Sequence, residues 1–358
     1  MLYDYIIVGQ GIAGTTLAFT LLEQQKEVLV VDNRQEEASS MVAAGIFNPI
    51  TGRRMVKTWL ADQLFPYLEQ FYQRLEKTLN TPIFHPTPMY FPFDSQEKQN
   101  DWLAASSDPK FDPYIKQFHA NGLYDGAVKD PFGGMEVTQS GYVHTAHMLS
   151  SFAQWLDRQS RFVDAQLNPE ELVIEKDYVQ WKNYRAKKLI FCDGNESAEN
   201  PLFHWLEYRC VKGELFWLRF PKHSFQHIIN RNCFVLPYQK EIYKVGATYE
   251  FHDLNKEATE KGKMQLIEKL EALINAPYEI EKQVAGIRPA TYDRRPFIGS
   301  HPKHPNLGIL NGLGTKGVSL APYFAWQLAE HMERQTPFHP EVNLLRGLKR
   351  KGLRVEDL

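Results

Sequence analysis

Residues 5–32 read YIIVGQGIAGTTLAFTLLEQQKEVLVVD, a buried strand, a glycine turn, a helix and a second strand that ends on an acid. That order predicts a nucleotide-binding βαβ unit. Gly9, Gly11 and Gly14 match G-x-G-x-x-G: one glycine makes the tight turn, one lets the backbone approach a pyrophosphate, and one lets the helix pack closely on the strand. Asp32 stands close to the ~20-residue distance at which an acid accepts from a ribose 2′-hydroxyl. Positions 14, 17, 18, 21 and 22 form an apolar stripe at helical spacing, so an amphipathic helix is expected on the sheet, its N–H groups toward the phosphates. NAD and FAD both carry an ADP half that suits such a unit, and the motif alone does not separate them.

The 358 residues are enough for two domains, or for one nucleotide domain with an inserted second layer. A hydrophobic share of 43% and a charged share of 23% are globular values that exclude a fibrous or disordered chain. Net charge is −2, so no global field favours a polyanion, and the basic run Arg346, Lys349, Arg350, Lys351, Arg354 reads as a solvated tail. Cys192, Cys210 and Cys233 show neither CxxC nor zinc spacing, so no disulfide framework and no metal is expected. With no signal-peptide pattern and no long apolar run, the chain reads as cytoplasmic, without a transmembrane segment.

Residues 39–59, SSMVAAGIFNPITGRRMVKTW, put small side chains ahead of a basic segment, where something flat can lie against the backbone. Residues 82–140 are rich in Pro, Phe, Tyr and Asp and read as inserted strands and loops. GYVHTAHMLSSFAQWL, from 141, has helical periodicity, and LIFCDG is a short buried strand ending at a glycine turn. Residues 205–250 alternate as a half-exposed antiparallel sheet would, followed by a helix near 256–275. At 307–310, LGIL is a strand, and Gly312, Gly314 and Gly317 again spell G-x-G-x-x-G before a helix with Val318, Ala321, Ala325, Leu328 and Ala329 on one face. Pro322 is placed in that helix's first turn, where a missing N–H costs little. No strand ending in an acid follows, so this reads as a second helix N-terminus aimed at the same cofactor, suited to charge that develops on a reduced flavin.

Taken in order, VGQGIAG with VVD, SS…AAGIFNP, GYVHTAHML, LIFCDGN, KVGAT, GIRPATYDRRPFIG and LGILNGLGTKGVSLAP resemble the D-amino acid oxidase-like superfamily of FAD-dependent amine oxidoreductases, which includes glycine and sarcosine oxidases. The resemblance covers nearly the whole chain. It implies an α/β fold: a Rossmann-like FAD domain of the glutathione reductase type from residues 1–81, 141–204 and 286–358, with an inserted substrate domain from 82–140 and 205–285 on a mixed, largely antiparallel sheet.

Carried over by position, the resemblance implies that Gly9, Gly11, Ile12, Ala13, Gly14 and Asp32 hold the ADP half of FAD. Asn33 and Arg34 lie beside the adenosine, Arg34 either meeting a 2′-phosphate or being a surface arginine. Ser40, Ala44, Gly45 and Asn48 run along the pyrophosphate and isoalloxazine, Leu167 meets adenine, and Cys192 and Gly194 make a third contact. Gly312, Gly314, Thr315, Lys316, Gly317 and Val318 form the loop at the flavin pyrimidine edge. Arg288, in GIRP, matches an arginine that fixes a substrate carboxylate; a planar fork would do this bidentately. The alternative is an arginine paired with Asp293. Lys244 resembles a lysine that activates dioxygen beside the flavin, with a solvated strand lysine as the alternative, and Lys316 completes the implied catalytic set. Arg53 and Arg54 are further carboxylate-binding candidates. Tyr238, Tyr243 and Tyr249 are expected in the strands that roof the substrate. No cysteine stands where the family attaches flavin covalently, so non-covalent FAD is implied.

The activity so implied is oxidation of a C–N bond in a small carboxylated amine (glycine-, sarcosine- or D-amino acid-like), by hydride transfer to flavin N5, with O2 or a quinone or other electron carrier as acceptor. Two alternatives stay open. AGIFNPITG resembles the oxidase half of the bacterial enzyme that modifies tRNA wobble uridine, although the charge of −2 disfavours nucleic acid. A non-catalytic FAD-binding module is the other.

Overall fold

The computed structural model describes residues 2–35, 37–52 and 55–358. Two eight-stranded sheets organise them. In the first, strands Phe162–Asp164, Val28–Asp32, Leu2–Val8, Tyr184–Phe191 and Leu307–Asn311 lie side by side and parallel. Val173–Ile174 and Val179–Trp181 add antiparallel strands against the first half of Tyr184–Phe191, and Phe297–Ser300 pairs antiparallel with Leu307–Asn311. Both faces of the parallel strands are covered, which is why Tyr5–Val8 and Val28–Val31 are near-continuous apolar runs, buried throughout.

The second sheet runs in the order Glu279–Arg288, Val211–Arg219, Ile242–Gly246, Cys233–Gln239, Ile228–Arg231, Met89–Pro92, Gly134–Val137, Ile115–His119. Every neighbour is antiparallel except Ile228–Arg231 with Met89–Pro92, so the sheet is mixed and largely antiparallel. Phe216, Leu218, Val235 and Val245 point from one face onto helix Glu260–Leu273 and bury Leu266, Leu270 and Leu273. Alternate residues point the other way, toward the first sheet.

Three local expectations are corrected. Helix Ile12–Glu23 is not amphipathic in its surroundings: Ala13 to Leu21 are all buried, because helix Gly317–Arg334 covers the face away from the sheet. The polar residues this encloses bond locally, Thr16 Oγ1 donating to Ile12 O (2.9 Å) and Thr20 Oγ1 to Thr16 O (2.8 Å). Pro322 lies beyond the first turn of Gly317–Arg334. The carbonyl one turn back, Val318 O, loses its amide donor and accepts instead from the buried Tyr72 hydroxyl at 2.8 Å. Tyr72 belongs to helix Ala61–Leu79, which the sequence reading did not anticipate; neither did it anticipate helix Gln96–Ala105 within the stretch read as strands and loops. Among the described residues no helix is long and apolar enough to cross a membrane.

Candidate active site

A cavity of about 1320 Å³ lies where the C-terminal ends of four parallel strands, at Val8, Asp32, Cys192 and Asn311, meet the inner face of the second sheet at Gly213, Leu215, Phe234 and Gly246. It exceeds the ~300–1,000 Å³ of ordinary small-molecule sites, so it has room for a dinucleotide and a second, smaller molecule.

The first glycine turn forms one wall. Gly9 has φ +93°, and a Cβ on it would come within 2.6 Å of Cys192 O; a Cβ on Gly14 would come within 1.8 Å of Gly9 O. Only glycine permits these contacts, and they bring helix Ile12–Glu23 onto the strand ends. That helix has no side-chain cap of its own, and Ile12 N donates to Ser40 Oγ at 3.1 Å across the cavity wall. Ser40 thereby keeps its hydroxyl hydrogen for a further acceptor. The Asp32 carboxylate accepts from Gln10 N and Arg34 N, both at 2.6 Å. Gly9, Gly11, Ile12, Ala13, Asp32, Asn33, Leu167, Cys192 and Gly194 all line this end of the cavity. Gly14 packs behind it. The Arg34 side chain also turns away, bonding Asp157 (2.6 Å) and Asp164 (3.4 Å) over the Phe162 ring, as a surface arginine does.

The second glycine loop closes the opposite wall. Gly314, Thr315, Lys316, Gly317 and Val318 line the cavity, while Gly312, at φ +76°, makes the turn behind it. A Cβ on Gly317 would come within 3.0 Å of Ile12 Cγ2, so the N-termini of two helices, neither with a side-chain cap, stand side by side on one cavity. Paired N-termini of this kind attract anions. The Lys316 ammonium donates to Thr58 Oγ1 at 2.9 Å, and burial, with Arg294 and Arg295 nearby, brings its pKa down to about 8.

Asn311, directly before this loop, was not foreseen. It is 2% exposed, and its side chain bonds Gly194 O (2.8 Å), Ser197 Oγ (2.6 Å), Asp193 Oδ1 (3.2 Å) and Gly312 N (2.7 Å). One amide thus ties the second glycine loop to the third cofactor segment. Its signal was its place at a strand end before a glycine motif. Asp193, on the cavity wall, has its pKa pushed up by burial to about 6.

Ser40, Ala44, Gly45 and Asn48 line the cavity between these walls. Gly45 has φ +74°, and a Cβ there would lie 2.0 Å from Val143 O, so the loop is pressed flat against the strand behind it. Lys244 stands behind that loop and does not line the cavity. It is 1% exposed, donates to Ala43 O at 3.0 Å, and lies 3.9 Å from the centre of the Tyr238 ring; burial brings its pKa down to about 7. Tyr243 faces the other side of the sheet, its hydroxyl accepting from Phe225 N. Arg53 and Arg54 lie outside the described residues.

Arg288 ends strand Glu279–Arg288 on the cavity wall. Its guanidinium lies over Gly213, where a Cβ would come within 1.9 Å of Nη2, and 5.0 Å from the centre of the Tyr249 ring. Nη1 donates to Thr248 O at 3.3 Å. Asp293 is not its partner: that carboxylate is held by Arg346 at 2.8 Å. Dense protein around Arg288 lowers its pKa, although part of its surface opens onto the cavity. Gly213 carries no sequence signal, because its requirement comes from a strand paired with it only in the folded sheet. Tyr249 lines the rim and is 59% exposed, so of the three candidate roof tyrosines it is the one on the cavity.

The sequence profile of the family described as DAO, FAD dependent oxidoreductase, matches residues 4–331. The chain belongs to the DAO family. Members of this family and its glycine oxidase structures are FAD-dependent, so FAD is the cofactor of this DAO-family oxidoreductase. The fold of the glycine oxidase from Geobacillus kaustophilus superposes with a TM-score of 0.80 over 96% of this chain and 98% of that one, at 20% identity. In sequence, the tRNA 5-methylaminomethyl-2-thiouridine biosynthesis bifunctional protein MnmC of Marinobacter nauticus is 24% identical across 92% of this chain and 55% of its own length. The bifunctional protein ThiO/ThiG of a Nostoc species is 24% identical across 94% of this chain and 53% of its own. The chain spans about half the length of these curated relatives.

Proposed function

We propose that this DAO-family protein oxidises the C–N bond of a small amine that carries a carboxylate. The observation that carries this reading is Arg288, a cation on the cavity wall with a single long bond to a carbonyl and, among the described residues, no carboxylate partner. A half-buried guanidinium with donors to spare is an anion site.

In this reading the unit formed by residues 1–81, 141–204 and 286–358 holds the cofactor, and 82–140 with 205–285 hold the substrate. The glycine wall, Asp32, Ser40 and the two helix N-termini fit a dinucleotide: the glycines let the helix approach the strand ends, and the uncapped helix N-termini, the Ser40 hydroxyl and the Asp32 carboxylate would meet its phosphates and ribose. FAD bound there supplies a two-electron sink for the hydride leaving the carbon next to nitrogen. Arg288 orients that carbon by fixing the carboxylate, while Gly213 lets the guanidinium lie flat and Tyr249 screens it from water. Lys316, held by Thr58, places positive charge beside the second glycine loop. Lys244 acts through Ala43 O on the loop between the walls, as a positioning residue.

The likeness to MnmC supports a second reading, an amine in tRNA. The C-terminal basic helix speaks against it, since Arg346 is spent on Asp293 and Arg350 on Glu207 at 2.7 Å. Anaerobic titration of the purified holoprotein with small amino acids and N-alkyl glycines tests the leading reading: loss of the oxidised flavin band with one of them is expected. Bound flavin that none of the panel bleaches would overturn it.

A further inference from the structure

The cavity is electrically polarised. Among the described residues, every carboxylate that lines it, from Asp32, Glu170, Asp193, Glu196 and Glu199, belongs to the segments around the first glycine turn. Of the four cations among the described lining residues, Lys256 bonds Gln35 at the acidic end, whereas Arg288, Arg294 and Lys316 belong to the other end, and the loops that carry them are tied together, Gly314 N donating to Pro289 O at 3.0 Å. Among the described residues none of the three has a carboxylate partner.

Arg294 differs from its neighbours in a telling way. Asp293 is taken by Arg346, and Arg295 bonds Glu341 at 2.7 Å while its guanidinium lies 4.1 Å from the centre of the Trp59 ring. Arg294 alone of the three lines the cavity, and it does so from a left-handed backbone, φ +59°. That conformation costs energy for a side-chain-bearing residue. The turn's own bonds hold it there: Arg294 N donates to Thr291 O at 3.2 Å, and the Thr291 hydroxyl to Arg295 O at 2.8 Å. One carboxylate on Arg288 leaves Arg294 and Lys316 uncompensated. Lys316 stands at the helix N-terminus beside the cofactor wall, which leaves Arg294 at the rim as the cation without an assigned anion.

We propose that the substrate carries two anionic groups, a carboxylate at Arg288 and a second carboxylate at Arg294 on the Lys316 side of the cavity. This rests on the reading of the cavity as the site of a carboxylated amine and narrows it to amino dicarboxylates. A neutral or monoanionic amine would fill only one of the two subsites, and the residual positive charge would discriminate against it.

The test is binding of unreactive anions to the oxidised holoprotein, read as perturbation of the flavin spectrum, so that it does not depend on turnover. Acetate, propionate and butyrate are compared with malonate, succinate and glutarate. At least one dicarboxylate is expected to bind ~3-fold or more tightly than its monocarboxylate counterpart, the contribution of one added pair with an exposed cation. Arg294→Gln is expected to erase that preference and Arg294→Lys to restore part of it; exposure of the side chain keeps both variants folded, which flavin loading checks. Equal affinities for the two series, or a preference that Arg294→Gln retains, would overturn the proposal. A dicarboxylate preference with no amine able to bleach the flavin would uphold the second anion subsite and sink the amine reading; bleaching by sarcosine or glycine without that preference would do the reverse.

Discussion

Replacing Arg288 by methionine separates the two things a half-buried cation can do, hold the fold or hold a ligand. Methionine keeps much of the stem volume over Gly213 and under Tyr249 and removes only the charged fork. In the fold, the wild-type guanidinium contributes one hydrogen bond of 3.3 Å and a contact with the exposed Tyr249 ring, together worth ~1–2 kcal/mol, against the cost of a partly desolvated charge with no carboxylate partner among the described residues. Removing it should leave the melting temperature of the flavin-loaded protein within about 3 °C of wild type, or raise it, since ~1 kcal/mol moves a chain of 358 residues by ~1–2 °C. In the substrate complex the fork can make two charge-assisted bonds at ~1.5–3 kcal/mol each, a loss of ~3–6 kcal/mol, which at ~1.4 kcal/mol per decade is ~100-fold or more in kcat/KM. The assay is anaerobic flavin reduction by whichever carboxylated amine bleaches wild type, alongside thermal melting. A kcat/KM within about threefold of wild type would remove Arg288 from substrate binding. A large fall in melting temperature with it would make the residue structural.

Two further outcomes are expected. Gly14→Ala puts a Cβ 1.8 Å from Gly9 O, an overlap of a fixed Cβ with a backbone oxygen that no rotamer relieves, so the helix must move off the strand by an amount costing ~1–3 kcal/mol or more; the ratio of flavin to protein absorbance in the purified variant should fall well below wild type, and full loading would refute the close-packing role. Lys244, brought down to about 7, is neutral in the folded protein above that pH but charged in the unfolded chain up to its ordinary value near ~10.4, so the unfolded state binds more protons between the two and stability rises with pH across that window, by up to ~1.4 kcal/mol per pH unit. Below pH 7 both states are protonated and its contribution is flat. Denaturant midpoints of wild type and Lys244→Met from pH 6 to pH 10 should therefore converge as pH rises; parallel curves would mean that Lys244 remains charged in the fold.

What the sequence determined by itself is what rests on local spacing. The glycines at 9, 11 and 14, the acid at 32 and the second glycine run at 312–317 each state a backbone requirement within one strand–turn–helix unit, and such requirements survive without knowledge of the rest of the chain. Alternation over residues 205–250 marked antiparallel strands, but the half-exposure read from it does not hold: residues 211–218 and 243–246 are almost entirely enclosed, one face covered by helix Glu260–Leu273 and the other turned toward the first sheet. Tertiary structure decided whatever depends on partners distant in sequence. Helix Ile12–Glu23 shows an apolar stripe, but only the helix laid over its outer face buries it on all sides. Pro322 sits inside its helix because Tyr72, from an unanticipated helix, supplies the missing donor. Lys244 and Arg288 were both legible as cations near the site, yet strand register sends one behind the Ala43 loop and the other onto the cavity wall. Asn311 and Gly213 matter through groups brought to them by folding, and Arg294 is separated from Asp293 and Arg295 by the side to which its backbone turns it. Direction, partner and burial are properties of the packed chain, and electrostatic chemistry depends on all three.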